Sequence, residues 1–547
     1  MLSPQRANCM PKPHCYAPAF ALGAALCLLP GCAPHAGGAA KNAGNIFRVP
    51  ILASPTTFDP AMVQDGTTID MLQNVFEGLV QWSPKNQIVP CLAQKWDVSK
   101  DGLTYTFHLR PGVKFQDGTP VTAQAVYYSM HRALDPKLGS PVALDYLGDI
   151  VGAKEEMAGK SADLPGVKVL DPQTVAIRIS KPKAYWIYTL TYPTAYVVSK
   201  AEADGASGPM SDADVAKGAG TGAFRVASYQ KDFKVTLAAN PAYWDGAPKI
   251  AGIERPIIKD AGTRHAEYVH GNLDLLQYET QGDLQADKND PKLQSQVKFF
   301  PRAATFYIGL NQKAFAPFKD VRVRQAFAYA TDKEKIRTVA LLGINDLAED
   351  LLPEGVPGGN PNFKGLPYDP AKARQLLAQA GYPNGKGFPV IPMTYRESYP
   401  DLAKTVDLLR GMWQQNLGVT VQPKQTEWGA MLQREDANAL ECYHIRWAAD
   451  YLDPQDYYSL LLRTGSVEDH TVYSNPKFDA LCDQADVEQD KAKRFSLYRQ
   501  AARIAADEVP IIPLYYQKDI ELIRPNVKNM DDCLMGHLPY KHLTLTP

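Results

Sequence analysis

The chain has 547 residues, 45% of them hydrophobic and 21% charged, with a formal net charge of -1. That length is too great for one core, so two or three domains are expected, and the composition is that of a soluble globular protein rather than a disordered or fibrous one. The near-balance of charge gives no general attraction to nucleic acid or anionic lipid, which argues against nucleic acid as a partner.

Arg6 and Lys12 precede an apolar run at 17–29 that ends in Leu29-Pro30-Gly31-Cys32. A basic start, a short apolar stretch and small residues before a cut describe a secretory signal over 1–31. The run is shorter than the roughly 20 apolar residues a spanning helix needs. Leu-x-Gly-Cys resembles the bacterial lipobox, so Cys32 is the expected site of lipidation, with 32–42 as a flexible tether. The alternative is ordinary signal cleavage within 33–40. Either way the mature chain is exported, to the periplasm or cell surface, where disulfides are permitted. Cys91, Cys442, Cys482 and Cys533 then remain, and they allow three pairings or four buried free thiols.

Residues 45–52 read as a first strand, followed by a turn-rich loop at 54–60 and a helix at 69–79 with Leu72, Val75, Phe76 and Leu79 on one stripe. Residues 103–109 alternate apolar and polar with period two, as a half-buried strand does. Asp117-Gly118 marks a turn, and Thr122 is placed to cap a helix through Ala133. Residues 174–179 form another alternating strand, and 224–228 with 235–238 read as a hairpin. Further on, strands at 390–395, 419–421 and 442–447 alternate with helices at 401–417 and 428–434. Leu402, Val406, Leu409 and Trp413 form the buried face of the first of these helices. This order predicts an α/β fold with a parallel sheet and right-handed crossovers, its ligands at the carboxyl ends of the strands. Asp450 stands at such an end.

Catalytic and cofactor constellations are missing from the sequence. The glycine-rich 217–222 lacks dinucleotide-binding spacing, 381–386 is one residue short of a P-loop, and no zincin, calcium-loop or nucleophile-elbow motif occurs. The pairs His265/His270 and His537/His542 read as surface residues, and Glu155/Glu156 as solvated. No enzyme, metal or cofactor is expected.

The stretch Trp96-Asp97-Val98-Ser99-Lys100-Asp101-Gly102-Leu103-Thr104-Tyr105-Thr106-Phe107-His108-Leu109-Arg110-Pro111-Gly112-Val113-Lys114-Phe115, continuing through Gln116-Asp117-Gly118-Thr119-Pro120-Val121-Thr122-Ala123, closely resembles the signature of the family 5 bacterial extracellular solute-binding proteins. These are the oligopeptide-, dipeptide- and nickel-binding lipoproteins of ABC importers. Gly220-Thr221-Gly222-Ala223-Phe224, Asn240-Pro241-Ala242-Tyr243-Trp244, the runs at 317–326 and 371–377, Leu417-Gly418-Val419 and 509–516 are similar to later motifs of the family, in its order. Ala125 departs from the pattern, where the family usually has Asp.

The resemblance implies a periplasmic-binding-protein-like type II fold of three domains. Lobe I is expected at 43–76, 200–302 and 519–547, an accessory domain at 77–199, and the other lobe at 303–518. It also implies a monomer that holds di- or oligopeptides as extended strands between the lobes and delivers them to ABC permease subunits. Asp450, within Trp447-Ala448-Ala449-Asp450-Tyr451, matches the aspartate that receives the peptide's α-amino group. Gln64, Asp65 and Gly66 match backbone positions of the first lobe, and Arg446 and Ala448 match those opposite. Trp428 matches a pocket aromatic, and Phe306 completes the expected contacts. Departures fall at Glu435, where a pocket arginine is expected and Arg434 stands one position early. Others are His444 in place of an arginine and Val142 in place of a tyrosine. Ala303 and Ala448 replace a cysteine pair. Rival readings are the same fold binding a nickel chelate, haem or oligosaccharide, a peptide-sensing receptor without transport, and an exported hydrolase.

Overall fold

The computed structural model describes residues 45–546 apart from 278–280, 398–399 and 467. The signal, Cys32 and the tether lie outside the described residues. Among those described, no helix is long and apolar enough to cross a membrane.

The alternating segment forms the strand Thr104–Leu109 with Tyr105, Phe107 and Leu109 turned inward. It pairs antiparallel with Ala93–Val98 and Thr174–Arg178, and Val167–Asp171 completes a four-stranded sheet. Helix Ala123–Leu134 begins where Thr122 accepts the Ala125 N–H at 3.3 Å, and its Val126 and Met130 pack into the same core as Phe107 and Trp186.

A second four-stranded sheet joins distant parts of the chain. The first strand, Ile46–Arg48, pairs parallel with Gly252–Pro256, which is followed by the antiparallel Lys234–Ala239 and Phe224–Gln230. Its core takes Phe47 and Val75 from the start of the chain, Leu237 from the middle and Tyr540 from the end. The expected helix at 69–79 is displaced toward the N-terminus, to Gly66–Leu72. Val75, Phe76 and Leu79 are still buried, but in an irregular segment against the glycine-rich loop. A Cβ on Gly220 would stand 2.1 Å from the Val75 carbonyl oxygen and one on Gly222 2.5 Å from that of Asn74, so this close approach requires glycine.

The third sheet is the largest. Its strand order is Leu275–Gln277, Ile511–Ile523, Val297–Leu310, Cys442–Ala448, Ile391–Arg396 and Val421–Thr426, with Asp346–Leu347 paired on Ile511–Ile523. The parallel arrangement read from the sequence holds for Ile391–Arg396 with Val421–Thr426 and with Cys442–Ala448. The rest is antiparallel, so the sheet is mixed, and the strand expected at 419–421 occupies Val421–Thr426 instead. Successive residues of a strand face opposite sides. Ile308 and Cys442 enter one core with Met393, Val406, Leu409 and Trp413, while Tyr307 and Tyr443 enter another with Met431, Tyr457 and Tyr498. Both faces are thus covered, as a sheet with parallel strands requires.

The four cysteines are free and buried. Two polar assignments need correction. Glu156 is buried against His131 rather than solvated, and His537 lies in the interior rather than on the surface. Neither pairing, of Glu156 with His131 or of His537 with Glu521 and Asp532, has a local sequence pattern to announce it.

Candidate functional site

The long strands Val297–Leu310 and Ile511–Ile523 run side by side, and their register breaks between Pro301 and Thr305. A bulge re-aims the side chains beside it. Here it turns Arg302, Ala303 and Ala304, with Gln517 and Asp519 of the neighbouring strand, toward a cavity of about 490 Å3. The cavity wall also takes Gln64 and Gly66 near the first helix, Gln81 and Trp82, Tyr192, and the C-terminal 534–539. Arg446, Ala448 and Asp450 complete it at the end of strand Cys442–Ala448.

That strand has an open edge. Ala449 N–H donates to Ala303 O at 2.8 Å, and Glu441 O accepts from Asn311 N at 3.1 Å. Main-chain groups alternate in direction along a strand, so those of odd-numbered residues face Val297–Leu310. Those of Arg446 and Ala448 therefore face the other way. On that side pairing with Ile391–Arg396 covers Cys442 to His444. Beyond His444 no described strand takes the edge, and the main chain of Arg446 and Ala448 is left for another partner.

Asp450 sits just past this edge. Its N–H donates to Asp456 Oδ2 at 3.2 Å, and the same oxygen accepts from Trp447 Nε1 at 3.0 Å. Asp456 is fully buried, and this pair of donors fixes the turn that aims Asp450 at the cavity. Burial, and then the neighbouring Glu468 and Asp145 carboxylates, push the Asp450 carboxyl up to about 7, against a hydroxyl that Tyr146 donates to it. Tyr146 is itself stacked on the cleft residue Tyr192, ring centroids 3.5 Å apart. The aromatic hydroxyl at Asp450 thus comes from Tyr146, four residues beyond Val142. No cation among the described residues pairs with Asp450, so none of them compensates its negative charge.

Other charged groups on the wall are matched. Arg302 donates to Asp519 at 2.5 Å and Asp532 at 2.9 Å. His537 bridges Glu521 at 2.8 Å and Asp532 at 2.9 Å. Burial alone would lower this imidazole, but Glu521 and Asp532 outweigh it and hold it up at about 10, so it is a buried cation. Arg255 pairs with Asp70 at 2.6 Å and Lys541 with Asp245 at 3.1 Å. Glu77 accepts from Tyr243, Trp244 and Thr221 at 2.6, 2.9 and 2.9 Å. Burial still raises its carboxyl.

Of the expected site residues, Asp450, Arg446, Ala448, Gln64 and Gly66 are brought together on the cavity wall, while Asp65, Phe306, Trp428, Arg434, His444 and Trp447 do not line it. Asp65 caps helix Gly66–Leu72, its carboxylate accepting from Thr68 N at 2.9 Å and Thr56 Oγ1 at 2.6 Å. Trp447 anchors Asp456. His444 is buried within the sheet beside Phe306, which stacks on Tyr515 at 4.7 Å. Burial lowers the His444 imidazole to about 3, so it is neutral. Arg434 pairs with Glu441 at 3.2 Å. Trp428 lies under the Arg396 guanidinium at 4.8 Å. Glu435 is buried, which raises its carboxyl to about 7. Ala304, rather than Ala303, stands directly across from Ala448. Sequence reasoning missed Gln517, Arg302, Asp519, Tyr146 and His537; the motif at 509–516 came nearest, stopping one residue before Gln517.

A mixed α/β fold of several cores around a cleft, with a free strand edge and a carboxylate that no described cation compensates, is that of a solute-binding protein. The chain belongs to the bacterial extracellular solute-binding proteins, family 5, whose middle-region model matches residues 87–469. It is 32% identical over 514 residues to the heme-binding protein A of Haemophilus influenzae, covering 91% of this chain and 92% of that one. It is 29% identical over 491 residues to the dipeptide-binding protein of Escherichia coli, covering 87% and 90%. The solved structure of the murein tripeptide-binding protein MppA of Escherichia coli superposes with a TM-score of 0.76 at 26% identity, covering 92% of this chain and 98% of that one. The periplasmic-binding-protein type II architecture is therefore that of this chain.

Proposed function

We propose that this protein captures peptides as extended strands in the cleft and delivers them to an ABC permease. It binds its solute without transforming it, and works outside the cytoplasm as a monomer tethered by a lipid on Cys32. Lobe I comprises 43–76, 200–302 and 519–547, the accessory domain 77–199 and the second lobe 303–518. The peptide-binding relatives support the class of ligand. The observation that carries the reading is Asp450, a carboxylate with no counter-ion among the described residues, beside the open edge at Arg446 and Ala448. A buried ammonium needs such a partner, and the strand edge supplies hydrogen bonds that every peptide main chain can satisfy. Side chains then lie in a wide cavity where water accommodates differences among them.

The test is calorimetric titration with trialanine and with N-acetyltrialanine. Acetylation removes the ammonium and is expected to weaken binding on the order of a hundredfold or more; equal affinity for the two overturns the reading. Haem is a second reading, favoured by the relative named for it. Haem brings carboxylates and no ammonium, so it would leave Asp450 uncompensated. A Soret titration that saturates at one haem per chain would establish it.

A further inference from the structure

Outside the cavity wall, a buried aromatic contact joins 77–199 to 303–518. Tyr185 is 3% exposed and lies face to face with Tyr451, their ring centroids 5.8 Å apart and their planes 9° apart. The Arg494 guanidinium stands 5.5 Å from the centre of the Tyr185 ring. Each half of this contact is complete without the other. Behind Tyr185, its neighbour Trp186 is fully buried in the core with Phe107, and Tyr105 donates to Lys183 O at 3.1 Å. The ring is thus fixed to the accessory domain. On the facing side, Arg494 donates to the two oxygens of Asp453 at 2.7 and 2.5 Å and to Ala485 O at 3.2 Å. Withdrawal of Tyr185 therefore strands no charge, because the guanidinium keeps its carboxylate. Among the described residues the ion pairs of 77–199 close within it or on Asp59, and none reaches 303–518. Stacking and a cation over a ring gain free energy on burial without a charge to abandon on separation, as a contact that opens and closes requires.

We propose that Tyr185 is a latch, which by seating between Tyr451 and Arg494 keeps the cleft shut over a bound solute and sets how long the solute is held. This rests on the domain division given above and not on the solute being a peptide. The seat belongs to the turn that presents Asp450. Tyr451 follows Asp450 directly, Asp453 holds Arg494, and Asp456 accepts from Asp450 N at 3.2 Å. On the opposite side Tyr192 lines the cavity and stacks on Tyr146, which donates to Asp450. A solute at Asp450 thus lies between the two bodies that the latch joins, and its departure requires them to part. Separation breaks the stack and takes the guanidinium off the ring, and both are desolvated, so each slows release by up to about tenfold. Capture takes place with the latch undone and does not depend on it.

The experiment uses the full exported chain and its Tyr185→Ala, Tyr185→Leu and Tyr185→Phe variants. Stopped-flow mixing with trialanine gives the association and dissociation rates, and small-angle scattering gives the radius of gyration with and without the peptide. Tyr185→Ala is expected to raise the dissociation rate about tenfold or more, to leave association within about twofold, and to enlarge the radius. Tyr185→Phe keeps the ring and should stay within about threefold of the wild type in both rates. If the alanine variant does not fold, Tyr185→Leu carries the same expectations, since it fills the space but neither stacks nor attracts a cation. A variant that merely weakened the fold would lower its unfolding temperature without moving dissociation apart from association. Equal dissociation rates in wild type and Tyr185→Leu overturn the latch, as does a loss confined to association. Wild-type protein that does not bind trialanine overturns the peptide reading. Scattering without peptide then decides for the latch, and equal radii in wild type and Tyr185→Leu overturn it.

Discussion

Two stretches of the same cleft treat charge in opposite ways. Where Val297–Leu310 and Ile511–Ile523 meet the C-terminal segment, Arg302, Asp519, Asp532, His537 and Glu521 form a closed network in which each charge faces an opposite one. At the end of Cys442–Ala448, Asp450 and Arg446 have no counter-ion among the described residues. Both stretches line the cavity, and composition alone would not distinguish them. The difference separates scaffold from site. A buried charge that is satisfied within the chain stabilises one arrangement of the backbone, whereas one left unsatisfied is an interaction held back for a ligand.

The largest expected effect falls on the closed network. His537→Ala strands Glu521, which is 1% exposed, without its cation. Breaking a buried pair from one side costs about 3–5 kcal/mol, and chemical unfolding at pH 7 measures it. The pH dependence follows from the raised imidazole. Its contribution is fully present below the unfolded value of about 6.5 and is lost as pH rises through about 10. The stability difference between wild type and variant should therefore shrink between pH 7 and pH 10. A constant difference would mean that His537 acts by packing alone.

Next comes the open stretch. Asp450→Asn is expected to weaken binding of peptides with free amino ends by about 2–5 kcal/mol. The empty protein should not lose stability, because the carboxylate removed has no counter-ion to strand. Unfolding and titration of the same variant separate the two effects. A variant that loses stability and keeps its affinity would move Asp450 from the site to the scaffold.

Acidification should weaken peptide binding more gently. The ammonium pairs with ionised Asp450, and in the empty cleft that carboxyl is held up at about 7. Below pH 7 binding must expel a proton, so the dissociation constant should rise by up to about tenfold per pH unit. Calorimetry in buffers of different ionisation enthalpy counts the released proton. The same raised carboxyl makes the empty protein gain, rather than lose, stability from this group as pH falls from 7 toward 4.

The smallest effect belongs to His444. It is neutral and buried beside Phe306, so His444→Phe should change stability by less than about 1.5 kcal/mol at pH 7. Because its imidazole is lowered to about 3, the wild type should lose stability as pH falls below about 6.5, and the variant should lose less. Unfolding at pH 7 and pH 5 measures the difference.

Much of the local structure was legible in the sequence because it is dictated over a few residues. The period-two pattern at 103–109 gave the strand Thr104–Leu109, and Thr122 capped its helix. Leu402, Val406, Leu409 and Trp413 form the buried stripe expected of them. The helix near 69–79 was misplaced because Val75 and Phe76 are buried beside a tight backbone crossing with Gly220 and Gly222, and Leu79 in the neighbouring core, not by helical periodicity. The strand Val297–Leu310 escaped notice because its exposed and buried halves follow different patterns on either side of the bulge.

In the site, motif spacing nominated Asp450, Arg446, Ala448, Gln64 and Gly66, all of which line the cavity. It also drew in His444, Phe306 and Trp447, whose side chains build the sheet and the turn behind it. Neighbours along a strand alternate between cleft, core and edge, and a sequence match does not separate those roles.

By itself, then, the sequence determined the family of the chain and several of its helices and strands, because periodicity, caps and contiguous motifs are local properties. Only the tertiary structure decided which charges are spent. Arg302 meets Asp519 across 217 positions and Asp532 across 230, and His537 meets Glu521 where the chain turns back on itself. Compensation is a matter of distance in space, and among the described residues it left Asp450 and Arg446 without an opposite charge.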